Sequence, residues 1–298
     1  MNTRIAVLLP CYNEEATIGA VIDDVRAACP AAEIVVFDNN STDRSAAIAA
    51  EKQVRLVRVS RQGKGNVVRA MLKRVEADVY VMLDADATYP ADRIPDLLRP
   101  VIDGSSDMVV GARFGRPEAG AFRRFHHTGN RILCRSVSLI WGARLTDVLS
   151  GYRAFSAEVA RILPVVSSGF EVETEMTVQA LFYNMTISEV DIEYRARPEG
   201  SFSKLRSYRD GFAIFLQVVH LLRAYKPLTT FGGLGLVSIG VGSLLGLSTS
   251  VDLSRPAGIL AVTLILLGAL LISTGLILHT LNFRVKELHS VITRRPGP

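Results

Sequence analysis

Along the first 115 residues, short apolar runs alternate with segments whose apolar residues recur every three or four positions. The runs are Ile5–Leu9, Ile34–Phe37, Leu56–Val59, Val79–Leu83 and Met108–Val110. Runs of this length, rich in β-branched residues, suit strands buried on both faces. The helical patterns between them cover Glu14–Ala28, Asp43–Glu51, Asn66–Val75 and Pro90–Val101. Ser41 or Thr42 would cap the second of these, and Pro90 would open the fourth. Such alternation predicts an α/β fold with a mostly parallel, doubly wound sheet. From about Arg116 to Arg206 the pattern reads as helix mixed with loops.

In a doubly wound sheet, ligands bind beyond the carboxyl ends of the strands. Here those ends are polar: Pro10-Cys11-Tyr12-Asn13-Glu14-Glu15, Asp38 to Asp43, Arg61-Gln62-Gly63-Lys64-Gly65, Asp84-Ala85-Asp86 and Gly111-Ala112-Arg113. Five polar strand ends on one rim describe a site the size of a nucleotide.

The pattern changes after Pro227. No charged residue occurs from Pro227 to Val251 or from Pro256 to Phe283, and each run exceeds the roughly 20 residues that cross a bilayer. Only Asp252-Leu253-Ser254-Arg255 separates them, so they predict a two-helix transmembrane hairpin, with spans at about 228–250 and 257–282. Arg223 and Lys226 precede it and Arg284, Lys286, Arg294 and Arg295 follow it, which places both termini in the cytoplasm. Gly242 and Gly246 can seat a neighbouring helix, which permits a homo-oligomer. Residues 208–226 read as an amphipathic interface helix or a core-facing one. The expected domains are therefore 1–207, 208–226 and 227–298, the last ending in a short basic tail.

The excess of apolar residues, 49% overall, sits in that C-terminal part. The net charge of +5 comes with no nucleic-acid motif, so phosphate-bearing substrates and anionic headgroups are the expected partners. The three cysteines, Cys11, Cys29 and Cys134, have neither zinc nor disulfide spacing and fit a reducing compartment. Ile5–Leu9 is too short for a signal sequence, so the catalytic part is expected on the cytoplasmic side of the membrane.

Asp84-Ala85-Asp86 carries the central chemistry. Two carboxylates one residue apart at the end of a strand can face Mg²⁺ or Mn²⁺, which take oxygen ligands. Asp38 can accept from a base or ribose, or cap the next helix; Glu14 can bind nucleotide or favour a helix start; Lys64 can meet a phosphate or sit on a solvated loop. Glu171, Glu173 and Glu175 can support the site or be solvated, and His126-His127 reads as loop or interface. Arginines between Arg113 and Arg153 can offset the repulsion between two phosphate-bearing substrates, although about half are expected to be surface charges.

Leu9 to Glu15, Asp38 to Asp43 and Asp84-Ala85-Asp86 resemble family 2 glycosyltransferases with the GT-A fold. Gly111-Ala112-Arg113, Gly129-Asn130-Arg131, the run from Thr146 to Phe155 and the run from Arg197 to Leu205 resemble the dolichyl- and polyprenyl-phosphate sugar synthases. The resemblance covers residues 3 to 210 and implies an inverting, metal-dependent transfer of a sugar from a UDP- or GDP-linked donor to a polyprenyl phosphate. It implies that Pro10, Tyr12, Asn13, Glu14, Asp38, Lys64, Asp84, Ala85 and Asp86 bind the nucleotide sugar, with Asp84 and Asp86 on the metal. Arg113, Arg124, Thr128 and Arg131 would hold the acceptor phosphate, and Asp86, Asp147 and Arg153 would be catalytic. Asp147 would act as a base, position the acceptor or orient Arg153; a lipid phosphate needs little base. Thr88 stands where the mannose synthases carry a glutamine, so no third side-chain metal ligand is implied. A non-processive transferase acting on another lipid or cell-envelope glycan is the alternative. The processive Gln-x-x-Arg-Trp motif is absent, the one tryptophan being Trp141 in Leu139-Ile140-Trp141-Gly142.

Overall fold

A computed structural model describes residues 3–117, 124–198, 216, 219–249 and 255–293, without the side chains of 114–117, 124–128, 249 and 289–293. The chain divides into two compact units, Met1–Phe215 and Leu216–Pro298. Most of the predicted interface helix lies outside the described residues.

In the first unit the strands are β1 (Ile5–Cys11), β2 (Glu33–Asp38), β3 (Arg55–Arg58), β4 (Val79–Met82), β5 (Met108–Pro117), β6 (Arg153–Ser156) and β7 (Ile187–Tyr194). The helices are α1 (Ile18–Ala28), α2 (Ser45–Glu51), α3 (Lys64–Arg74), α4 (Ile94–Ile102), α5 (Arg124–Trp141), α6 (Ala157–Ile162) and α7 (Val172–Phe182). The described strands form one sheet in the order β3-β2-β1-β4-β6-β5-β7. Side chains alternate across it: Val7 and Leu9 pack with α1 and α4 on one face, Ala6 and Leu8 with α3 and α7 on the other. Both faces are covered, which is why the parallel strands read as unbroken apolar runs.

β6 was not legible as a strand, and it determines the site. It runs antiparallel between β4 and β5, pairing Arg153 with Met82 on one side and Val110 on the other. An antiparallel strand enters at the rim where its parallel neighbours leave. The polar segment Asp147–Tyr152 therefore arrives beside Asp84–Asp86 and Gly111–Arg113. The sequence hid β6 because it is four residues long and opens on arginine. β7 lies parallel to β5 at the sheet edge, where alternating charges suit one exposed face.

Several expected boundaries shift. The residue before α2 is Arg44, with no side-chain cap, because Ser41 and Thr42 are both bound to Asn13 in the turn after β1. Pro90 precedes a single 3₁₀ turn, Ala91–Arg93, and Pro95 occupies the first turn of α4 instead. α3 starts at Lys64, two residues early, so Lys64 is a helix residue. Gly111 to Arg113 belong to β5, and His126-His127 lie within α5.

The second unit holds two long helices, α8 (Gly233–Thr249) and α9 (Pro256–Thr293). The stretches Leu228–Ser248 and Pro256–Leu288 are long and apolar enough to cross a membrane. Leu236, Leu244, Leu247, Leu270 and Ile277 face outward, an arrangement that lipid tolerates and water does not. Between the helices, small residues bring the backbones close. A Cβ on Gly235 would lie 2.6 Å from the Gly268 carbonyl oxygen, and one on Gly242 would lie 2.7 Å from that of Ala261. Gly242 is thus already seated against its own hairpin partner. Ser238 Oγ adds a hydrogen bond to the Leu264 carbonyl, 2.7 Å away.

Gly235→Leu must force α8 and α9 apart, whereas Gly240→Leu enters open space. Overpacking of this kind costs about 1–3 kcal/mol. Amide exchange in α8 and α9 of the detergent-solubilised protein is expected to accelerate at least about fivefold in the first variant and to stay near wild type in the second. Equal exchange in both would show that the glycine contact contributes nothing.

Candidate active site

The turns after β1 and β2 are tied to each other by side chains that accept from backbone N–H groups. Ser41 Oγ accepts from Asn13 N at 3.0 Å, Ser45 Oγ from Glu14 N at 2.8 Å, and Asn13 Oδ1 from Thr42 N at 2.8 Å. Asn13 holds a positive φ of 53°, a conformation asparagine accepts more readily than most residues. Thr17 Oγ1 donates to the Ala85 carbonyl at 2.7 Å, joining α1 to the Asp84–Asp86 segment. The capping run thus fixes the rim of the site and only secondarily starts a helix.

Asn39 was not singled out from sequence, yet it is buried at the centre of the rim. Its Nδ2 donates to the carbonyls of Val59 and Arg61, and its Oδ1 accepts from Gly63 N at 2.7 Å. One amide therefore links β2 to the Gly63-Lys64-Gly65 turn. Those glycines do admit a close approach, but by the chain itself: a Cβ on Gly63 or Gly65 would lie 2.1 Å from the carbonyl oxygen of Ser168 or Ser167. The Val166–Ser167 turn is held by the buried Glu175, which accepts from both backbone N–H groups at 3.0 and 2.9 Å.

These segments surround a pocket of about 230 Å³ lined by Tyr12, Glu14, Lys64, Asp84, Asp86 and Arg197, among others. Pro10, Ala85 and Asn39 also line it. Charges in and behind its wall are paired. Lys64 Nζ lies 2.5 Å from Asp84 Oδ1 and 2.6 Å from Glu173 Oε1. Burial works against the Lys64 charge, but Asp84 and Glu173 outweigh it and hold the ammonium above its ordinary range. Arg197 pairs with Asp86 Oδ2 and lies 3.7 Å from Glu14 Oε1. Asp86 Oδ1 accepts from Thr88 N and Oγ1. Sequence reading placed Arg197 in a family motif and left Glu173 open between support and solvation; the structure puts Arg197 at the pocket and buries Glu173 behind Lys64. Asp38 is buried beside the pocket, its Oδ1 accepting from Ser41 N at 3.2 Å.

A second charged pair sits at the β5–β6 side of the rim. Asp147, fully buried, is gripped by Arg113: Oδ2 accepts from Nε at 2.7 Å and Oδ1 from an Nη at 2.9 Å. It also accepts from the backbone N–H groups of Arg113 and Leu149. Burial opposes the Arg113 charge, yet Asp147 holds the guanidinium well above its ordinary range. Arg113 also lies 5.4 Å from the centre of the Tyr194 ring. Glu189 from β7 clamps the turn, accepting from Thr146 N, Thr146 Oγ1 and Asp147 N.

Arg153 does not join either group at the surface. Its guanidinium is buried within the sheet, donating to the carbonyls of Ser150 and Val148, to Thr177 Oγ1 and to Met108 Sδ. Burial lowers its pKa to about 10. In this conformation it braces the turn that carries Asp147 and does not face the pocket. Arg131 is exposed on α5. The side chains of Arg124 and Thr128 lie outside the described residues.

A fold with a pocket at the carboxyl rim, two acidic residues at the end of β4 and an antiparallel strand beside it matches a known family. The family model described as glycosyl transferase family 2 matches residues 6–163. The chain is a family 2 glycosyltransferase. The transferase is 37% identical over 239 residues to glycosyltransferase AglJ of Haloferax volcanii, spanning 80% of this chain and 78% of that protein. It is 32% identical over 216 residues to a dolichyl-phosphate hexose transferase of the same organism, spanning 72% of this chain and 92% of that one. Glucosyl-3-phosphoglycerate synthase of Mycobacterium tuberculosis, solved with Mn²⁺, UDP-glucose and phosphoglyceric acid, superposes with a TM-score of 0.61 at 26% identity, over 75% of this chain and 80% of that one. The α/β unit of the transferase has the GT-A fold, and two apolar C-terminal helices accompany it.

Removing one member of a buried pair leaves an uncompensated charge, which costs about 3–5 kcal/mol. Arg113→Met is therefore expected to destabilise the transferase on that scale, and adding Asp147→Asn to recover part of the loss. Denaturation followed by the fluorescence of Trp141 checks this; a double variant no more stable than the single one would mean the pair is not the source of the cost.

Proposed function

We propose that the transferase moves a hexose from a nucleotide sugar to a polyprenyl phosphate, with inversion at the anomeric carbon, at the cytoplasmic face of a membrane crossed by α8 and α9. The observation that carries this reading is the pair of charged clusters on one rim: ion-paired carboxylates at Asp84–Asp86, and Arg113 held by the buried Asp147. Similarity to the dolichyl-phosphate hexose transferase supports the lipid acceptor. The Mn²⁺ and UDP-glucose in the solved neighbour support the donor and the metal.

A divalent cation fits the residues present. The ion-paired cluster contains four carboxylates (Glu14, Asp84, Asp86, Glu173) and two cations (Lys64, Arg197), so its formal charge is −4 + 2 = −2. Asp84 and Asp86 would hold Mg²⁺ or Mn²⁺, which would neutralise charge on the leaving nucleoside diphosphate. Lys64 and Arg197, now turned onto these carboxylates, are the side chains placed to meet phosphate oxygens once a cation takes their partners. Tyr12, 37% exposed at the mouth, offers a flat face to a nucleobase.

Asp147 orients and does not deprotonate. Its oxygens already accept from the Arg113 side chain and two backbone N–H groups. A phosphate acceptor arrives ionised and is itself the nucleophile, so the useful service is an aimed guanidinium that draws it in.

Purified full-length protein with Mn²⁺ and a panel of UDP- and GDP-sugars is expected to form a lipid-linked sugar on undecaprenyl or dolichyl phosphate. Asp86→Ala is expected to reduce that transfer on the order of a hundredfold or more, the scale of losing a preorganised electrostatic contact. Transfer to a hydroxyl acceptor alone, or unchanged transfer in the variant, would sink this reading.

A further inference from the structure

Glu173 belongs to no strand-end motif and does not line the pocket, yet it is as deeply buried as Asp86. Its side chain is 4% exposed on α7, with Oε1 2.6 Å from Lys64 Nζ. Its Oε2 is buried and has no hydrogen-bond partner among the described residues. A buried carboxylate oxygen left without a donor costs stability, so a neutral glutamine or an apolar residue would serve packing at least as well. Retaining the charge there points to work done at the site.

The geometry says what the work is. Lys64 holds two carboxylates at once: Asp84, which lines the pocket, and Glu173, which is not part of the lining. Gly151 closes a further side. A Cβ there would fall 2.8 Å from Lys64 Nζ and 3.0 Å from Asp84 Oδ2. A cation arriving at Asp84 competes directly with Lys64 for that carboxylate. If Asp84 were the only counter-charge, the displaced ammonium would be left in a confined site next to a dication, and the repulsion would oppose binding. With Glu173 in place, the ammonium keeps a full partner and has its remaining N–H groups free to turn to a phosphate.

We propose that Glu173 is a positioning residue for donor binding: it is the standing counter-charge of Lys64 that lets Asp84 be released to a cation and keeps the lysine aimed at the nucleoside diphosphate. This rests on the nucleotide-sugar reading of the pocket. It adds that the binding affinity of the donor is set partly from α7, through a residue that never touches the ligand. The charge count agrees, since neutralising Glu173 would leave the cluster at −1, one charge short of matching a divalent cation.

Calorimetric titration of the full-length protein with UDP and with GDP, each in Mn²⁺, tests the proposal without requiring turnover. Glu173→Gln is expected to weaken nucleoside diphosphate binding about tenfold, and to raise the donor KM by a similar factor while kcat at saturating donor changes less than about threefold. Because the effect runs through the lysine, Glu173→Gln should add almost nothing in a Lys64→Gln background. Glu173→Asp keeps the charge one methylene further away and should bind more tightly than Glu173→Gln; if the glutamine variant does not fold, the aspartate variant is compared with wild type and should show a smaller loss in the same direction. Undiminished binding in both variants, or full additivity with Lys64→Gln, overturns the proposal while leaving the donor site intact. Wild-type protein that binds neither nucleotide overturns the donor reading and this proposal with it.

Discussion

Four carboxylates brought to one crevice, three of them nearly excluded from water, repel one another unless cations are built in with them. Much of the catalytic unit follows from that constraint. Lys64 must stand at the first turn of α3 to reach Asp84 and Glu173 together. That start requires the backbone of the Gly63-Lys64-Gly65 turn to lie against Ser167 and Ser168, which only glycines permit at the observed distances. The Ser167 turn is in turn held by Glu175, and the Gly63 turn by Asn39. The loops at the base of the pocket are thus hydrogen-bonded to one another. At its mouth, Arg197 supplies the second compensating cation from the segment after β7.

The sequence made the parallel half of this legible for a simple reason. Strands buried on both faces must be apolar throughout, so β1, β2 and β4 announce themselves, and whatever follows them lies on the ligand rim. β6 escaped because Arg153 opens it, and a charged residue argues against a buried strand unless its guanidinium finds internal acceptors. Here it finds the carbonyls of Ser150 and Val148 and the hydroxyl of Thr177, none of which a one-dimensional pattern reveals. Arg153 came to notice through the family resemblance, and its fully buried position was likewise not legible. Glu173 was left open for the opposite reason: spacing on a helix says which residues share a face and nothing about whether that face is wet.

Asn39 and Arg197 show two further limits. Asn39 sits in a polar run that a capping rule explains adequately, so nothing in the pattern distinguishes it from its exposed neighbour Asn40. Its importance comes from three hydrogen bonds to segments about 20 or more residues away. Arg197 was visible as part of a family motif, but its pairing with Asp86 and Glu14 depends on β7 lying at the sheet edge beside β5, and β7 itself was not foreseen. Where a residue's role depends on an unseen strand, reading its neighbours along the chain cannot supply it.

The state of Asp147 bears on which acceptors the transferase can use. A general base needs an oxygen within reach of the proton it removes. Both oxygens of Asp147 already accept, from a bidentate guanidinium and from two backbone N–H groups. An alcohol acceptor would therefore find this carboxylate already engaged. A phosphate asks for nothing of the kind: it is anionic before it binds, and its difficulty is approaching a second anion. Under the proposed function, Arg113, held in place by the same carboxylate, would offset that repulsion. On that reading the ion pair suits a phosphate acceptor better than a hydroxyl, because both carboxylate oxygens are taken.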